Sequence, residues 1–170
     1  MKHIIISAKI VKPVLHILNH LKDVGDLIAR LWIAQIFFQS GISKITDWDT
    51  TLVLFKDVYS VPFMNPVISA YMGTAAELIF PILLVLGFGG RFFIFCFFMY
   101  NVICAASFSF LWTPAGSNGL DDHIMWGILL MMLMLHGMGR ISLDHFMHKR
   151  YGYLIHSDIG HENGKIISIK

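Results

Sequence analysis

The chain has 170 residues, of which 56% are hydrophobic and only 14% charged, with mean hydropathy +0.66 and a formal net charge of +2. Soluble domains carry a charged fraction of about a quarter, so this chain has too little polar surface to cover its own core in water. Composition therefore excludes a soluble or nucleic-acid-binding domain and points to one integral membrane unit.

Residues 1–24 form a basic segment carrying Lys2, Lys9, Lys12 and Lys22. The lysines break its apolar runs and no small-residue cleavage site follows, so it is expected to lie on the inner leaflet as an amphipathic segment rather than act as a signal peptide. His16 and His20 stand one turn apart there. They are expected to be a solvated pair, and no metal site is predicted.

Four stretches are long and apolar enough to be expected as membrane-spanning helices, at about 27–43, 67–88, 92–110 and 124–139. The loop after the first contains Asp-Trp-Asp-Thr at 47–50, a helix-cap signal, and a short interfacial helix is expected around Thr50 to Tyr59. Gly87, Gly89 and Gly90 separate the second and third spans, which should form a tight hairpin. Residues 113–122, TPAGSNGLDD, read as a turn-rich loop, and 151–170 as a polar, loosely ordered tail. The expected fold is all-α, a four-transmembrane-helix bundle over 25–150.

Lysine and arginine set orientation. They crowd the N-terminal segment, the second loop (Arg91) and the C-terminal side (Arg140, Lys149, Arg150, Lys165, Lys170), whereas the first and third loops carry only Lys44 and Lys56. Both termini are therefore expected in the cytoplasm, with the protein in a bacterial inner membrane.

Polar groups at membrane depth are costly and need a partner or water. Glu77 lies mid-span on a face with Ala70 and Gly73, small residues that mark close helix approach, so it should point into the bundle. Pro81, one turn later, leaves the Glu77 carbonyl without its helical donor. Asn101 is central in the third span, and Gln35 and Gln39 in the first. These four residues are the expected central polar site. Two interpretations stand: interhelical hydrogen bonding that specifies packing, or a working site for a proton, quinone or substrate.

Arg30 and Lys44 bracket the first span, as snorkelling anchors or, for Arg30, as a partner of Asp144 or an anionic head group. His123, behind Asp121 and Asp122, is either a neutral residue at a helix start or a relay at the pocket mouth. Met131, Met134 and Met138 share a face, expected to pack rather than bind copper. Cys96 and Cys104 form no CxxC and read as small buried residues.

Three segments carry a resemblance: RLWIAQIFFQSGISK, AAELIFPILLVLGFGGR and, most specific, GMGRISLD. From about Gly25 to Tyr151 the chain resembles the DoxX family of small four-span bacterial and archaeal membrane proteins. The positions that match the family pattern are Arg30, Gly41, Lys44, Glu77, Arg140 and Asp144. The family's name comes from a subunit associated with archaeal thiosulfate:quinone oxidoreduction, and some members are linked to oxidative-stress complexes. The resemblance thus implies a quinone as ligand and a membrane redox protein as partner. The chain carries no flavin or nicotinamide fingerprint and no haem attachment site, so an accessory subunit is expected rather than an enzyme acting alone. A small-solute or proton-coupled carrier, and a scaffold, are the alternatives. With four spans, a homodimer is a further expectation.

Overall fold

The computed structural model describes residues 2–61, 64–137, 141–144, 146, 147, 149 and 150; within the first helix, side chains are described at 15, 18 and from 21 onward. The histidine pair His16/His20 (as side chains), Met138, Arg140 and the 151–170 tail lie outside the described residues.

Helix α1 runs without interruption over Lys2–Thr46, joining the basic segment to the first expected span. It stops where Asp47 turns out of helical geometry and caps α2, Trp48–Asp57. The Asp47 carboxylate accepts from the Thr50 N–H at 3.1 Å and from its hydroxyl at 2.7 Å, satisfying a donor that the helix start leaves open. Helix α3, Pro66–Leu86, begins with Asn65 accepting from the Val67 N–H at 2.9 Å and proline in the first turn, where its missing N–H costs nothing. It continues through the buried Pro81 and ends at Gly87, whose φ of +66° closes the last turn in left-handed geometry. Helix α4 covers Gly90–Ser107, followed by a short 3-10 turn at Ser109–Trp112. Helix α5, Ser117–His136, ends at Gly137 with φ +86°.

Among the described residues the fold is all-α, with no strand beyond one isolated bridge between Tyr59 and Phe108. Ile33 and Phe37 of α1, Leu84 of α3, Ile94 and Phe97 of α4, and Leu130 and Leu133 of α5 meet in one core. The four long helices thus form a bundle. Outside that core, large apolar side chains such as Trp32, Tyr71, Phe92, Met125 and Leu135 are exposed all round. Such a continuous apolar surface suits lipid and not water. Helices α3 and α4 are each long and apolar enough to cross a membrane. Polar residues interrupt the other two: Arg30, Gln35, Gln39 and Lys44 in α1, and Asp121 and Asp122 in the first turns of α5. The protein is an all-α integral membrane protein.

Three expectations are revised. Residues 117–122 are helical rather than loop, so α5 starts two turns early; its first polar turns stand exposed with acids near the positive helix end. The third span stops at Ser107 rather than 110, because the chain turns into the 3-10 segment. Third, α3 and α4 share a short glycine turn but do not form a tightly packed hairpin. Instead α1 packs along α3 and α4 along α5, and α3 and α4 stand apart over most of their length. The short helix expected after the first span is α2, at Trp48–Asp57 rather than 50–59. It lies across α3, with Trp48 against Tyr71 (centroids 4.6 Å apart) and Phe55 over Gly73, where an added Cβ would stand 3.0 Å from the ring.

Candidate functional site

Gly41 allows α1 to lie hard against α3: a Cβ there would stand 2.9 Å from Leu78 and 3.1 Å from Glu77. At the other end of the same contact Arg30 reaches Gly87. Antiparallel packing in this register brings Lys44, near the end of α1, level with Glu77, near the middle of α3. The Lys44 ammonium donates to both Glu77 carboxylate oxygens, at 2.8 and 2.6 Å, and to the Ser40 hydroxyl at 2.8 Å. All three of its protons are used. The two side chains are 10% and 8% exposed, so the pair is buried. Thr51 of α2 covers it, donating to the Lys44 carbonyl at 3.0 Å.

Lys44 is therefore no snorkelling anchor; it is Glu77's partner. The expected convergence of Glu77, Asn101, Gln35 and Gln39 does not occur. Asn101 is buried but faces α5, where its amide donates to the His123 carbonyl at 2.9 Å and its oxygen lies 2.8 Å from His123 Nδ1. His123 also meets Trp126 edge-to-face at 4.7 Å. Gln35 and Gln39 are exposed on the far side of α1. The amides on α1 point away because its inward face is already filled by Arg30, Ile33, Ala34, Phe37, Gly41 and Lys44.

Glu77 and Lys44 are the charged groups lining a cavity of about 710 Å³ between α3 and α4, roofed by the α2–α3 connection. Its walls are apolar and aromatic, with Phe55, Tyr59, Phe80, Phe95 and Tyr100. Met72, Phe95, Met99 and Ile103 line it and are also exposed on the outer surface, so the cavity is a groove that opens sideways between the helices. The Tyr100 hydroxyl donates to the Gly73 carbonyl at 3.0 Å, tying α4 to α3 across it. Burial, then the Glu77 charge, push the Tyr59 hydroxyl above its ordinary value, so it stays a neutral donor at the roof. The backbone N–H of Ser60 donates to the Ser107 carbonyl at 2.8 Å and closes the end beside α2. In the wall, the Ser69 hydroxyl is buried with no partner among the described residues.

At the opposite end, Arg30 is 1% exposed; its guanidinium donates to the Ile141 carbonyl at 2.7 Å and to the Asp26 carbonyl at 3.3 Å. It does not bond Asp144. That carboxylate accepts from the Gly89 N–H at 3.2 Å, and the Asp144 N–H donates to the Gly87 carbonyl at 3.3 Å. Residues 141–144 therefore fold back over the α3–α4 turn, and Arg30 anchors them by their backbone.

The family model for DoxX matches residues 25–111, half of the chain. The chain belongs to the DoxX family. The match covers α1 from Gly25 onward, α2, α3 and α4, and so contains Arg30, Gly41, Lys44, Glu77 and Tyr100. An uncharacterized protein of Haemophilus influenzae (strain ATCC 51907 / DSM 11121 / KW20 / Rd) is 28% identical over 136 residues, spanning 75% of this chain and 86% of that protein. No solved structure matches. Within this DoxX protein four of the six family-pattern positions act in two contacts: Lys44 with Glu77, and Arg30 with the segment holding Asp144. Gly41 permits the first by letting α1 and α3 touch. Sequence reasoning missed Ser40, Tyr59 and Tyr100 as parts of the site. Ser40 was one turn before Lys44 and Tyr100 adjacent to Asn101, so both stood in view, but nothing in their spacing said which helix they faced.

Proposed function

We propose that this DoxX protein is an accessory subunit of a quinone-linked redox assembly in a bacterial inner membrane. In this reading it crosses the membrane four times with both termini in the cytoplasm, in keeping with the basic residues of the N-terminal segment, second loop and C-terminal side. The observation that carries the proposal is the groove between α3 and α4. Its volume, about 710 Å³, falls within the ~300–1,000 Å³ usual for small-molecule sites. A lipid-borne ligand would enter it sideways from the bilayer. Its aromatic walls suit a planar ring. Tyr59 supplies a donor for a ring carbonyl, and the Lys44–Glu77 pair supplies the charged end of the groove. Electrons would come from a partner protein.

Decylubiquinone titrated into the protein in nanodiscs, followed by quenching of tryptophan fluorescence, tests this. Ala76→Phe fills the groove, since Ala76 lines it, and Glu77→Gln removes the carboxylate that holds Lys44. Saturable binding is expected in the wild type, at least tenfold weaker in Ala76→Phe, and weaker in Glu77→Gln. No saturable binding, or Ala76→Phe binding as well as the wild type, overturns the quinone reading.

One observation favours a scaffold instead: Glu77, Lys44, Asn101 and His123 all find partners inside the protein. In that case Glu77→Gln alters thermal stability alone.

A further inference from the structure

Helix α1 has two faces. Arg30, Ile33, Ala34, Phe37, Gly41 and Lys44 are buried against the bundle. Directly opposite, Ile28, Trp32, Gln35, Gln39 and Ile42 are all exposed. Their spacing alternates four and three residues, the seam of a heptad repeat. The same steps run back through Gly25 and Leu21 to Leu18, which are exposed as well. The seam is thus continuous from Leu18 to Ile42, about 36 Å of helix.

A face turned to lipid needs no polar group, yet Gln35 and Gln39 sit at the centre of this one. Arg30 lies level with Gly87 and Gly41 with Leu78, so both amides are level with the inner half of α3, at hydrocarbon depth. Neither side chain has a hydrogen-bond partner among the described residues. An amide in lipid without a partner is costly, and glutamines between membrane helices bond across the contact.

We propose that the outer face of α1 is the interface of a homodimer, with Gln35 and Gln39 bonded to the same residues of a second copy. The occupant is a second copy because each amide carries both a donor and an acceptor. Two identical helices related by a twofold axis along the membrane normal place each glutamine against its own counterpart, and each satisfies the other. A heptad seam with a polar pair inside it also fixes register between two identical helices. The contact leaves the groove between α3 and α4 free, and it holds whether or not that groove takes a quinone.

Disulfide trapping in native membranes tests it. In a chain with Cys96→Ala and Cys104→Ala, Gln35→Cys and Gln39→Cys are oxidised with copper phenanthroline, with Ile79→Cys, exposed on α3, as control. The expected product is a disulfide-linked species of twice the 19.3 kDa chain for both α1 positions and not for the control. In parallel, Gln35→Leu/Gln39→Leu in the otherwise unaltered chain is expected to weaken self-association in vesicles at least tenfold by energy transfer, with helix content and thermal midpoint unchanged. Cross-linking no greater than in the Ile79→Cys control, a product of another mass, or unaltered self-association of the double variant overturns the proposal; a product of another mass would mean that a different protein covers this face, and no product that lipid does.

Discussion

Removing one member of the Lys44–Glu77 pair should be far worse than removing both. The two groups are 10% and 8% exposed and joined at 2.6 and 2.8 Å. Lys44→Met keeps the length and volume of the stem and leaves the carboxylate in a low-dielectric site with no cation. Breaking a buried pair in this way costs about 3–5 kcal/mol. For a chain of this size each kcal/mol corresponds to about 2–4 °C in the midpoint of unfolding, so the expected fall is roughly 6–20 °C. Glu77→Leu should do comparable harm by stranding the ammonium. The double variant Lys44→Met/Glu77→Leu has no stranded charge, and replacement of a buried pair by apolar residues of similar volume is neutral or stabilising by about 1–4 kcal/mol. The assay is thermal unfolding of the four proteins in one detergent, analysed as a double-mutant cycle. Single variants within about 2 °C of the wild type, or a double variant showing the sum of the two losses, would refute the claim that these groups form one buried, mutually dependent pair.

Gly41→Val should separate α1 from α3, because even a Cβ stands 2.9 Å from Leu78; overpacking of this kind costs about 1–3 kcal/mol, read as a lower midpoint together with loss of any ligand binding in the groove. Asn101→Leu removes the bonds at 2.9 and 2.8 Å to His123 and leaves that residue's ring nitrogen unmatched, a loss of about 1–3 kcal/mol measurable in the same assay. Asp47 titrates in acid. Its hydrogen bonds from Thr50 hold the carboxyl below its ordinary value of 3.8. Its contribution is therefore complete above that value and is lost as pH falls through the lower, folded-state value. Asp47→Ala should lower the midpoint at neutral pH and flatten its decline between pH 5 and 2; an unaltered acid limb would show that this cap does not govern it.

The sequence showed the fold where a helix boundary has a local cause. Asp47 and Asn65 are capping residues before helical runs, Gly87 stands where a left-handed residue is needed, and the apolar runs are too long for a soluble core. Where the boundary depends on packing, local signals failed. Residues 117–122 contain serine, asparagine and glycine and read as a turn. They are helical because α5 extends past the 3-10 turn, with the Leu120 N–H donating to the Gly116 carbonyl at 3.3 Å.

The site was half legible for a different reason. A carboxyl group at Glu77 announces that it needs a partner, but the identity of the partner depends on how far α1 has slid along α3. An expectation that places both helices across the whole membrane puts Lys44 at the surface and Gln35 and Gln39 at Glu77's depth. Contact at Gly41 fixes a different offset, in which the end of α1 reaches only the middle of α3 and α2 crosses above it. One register shift thus decides three things together. It gives Glu77 a cation, it turns the two glutamines outward, and it leaves the space beyond α1's end for the groove roofed by the α2–α3 connection. No spacing rule within a single helix contains that offset, since it is set by Leu78 and Glu77 accepting a glycine against them. The small residue at position 41 was the only local sign of it.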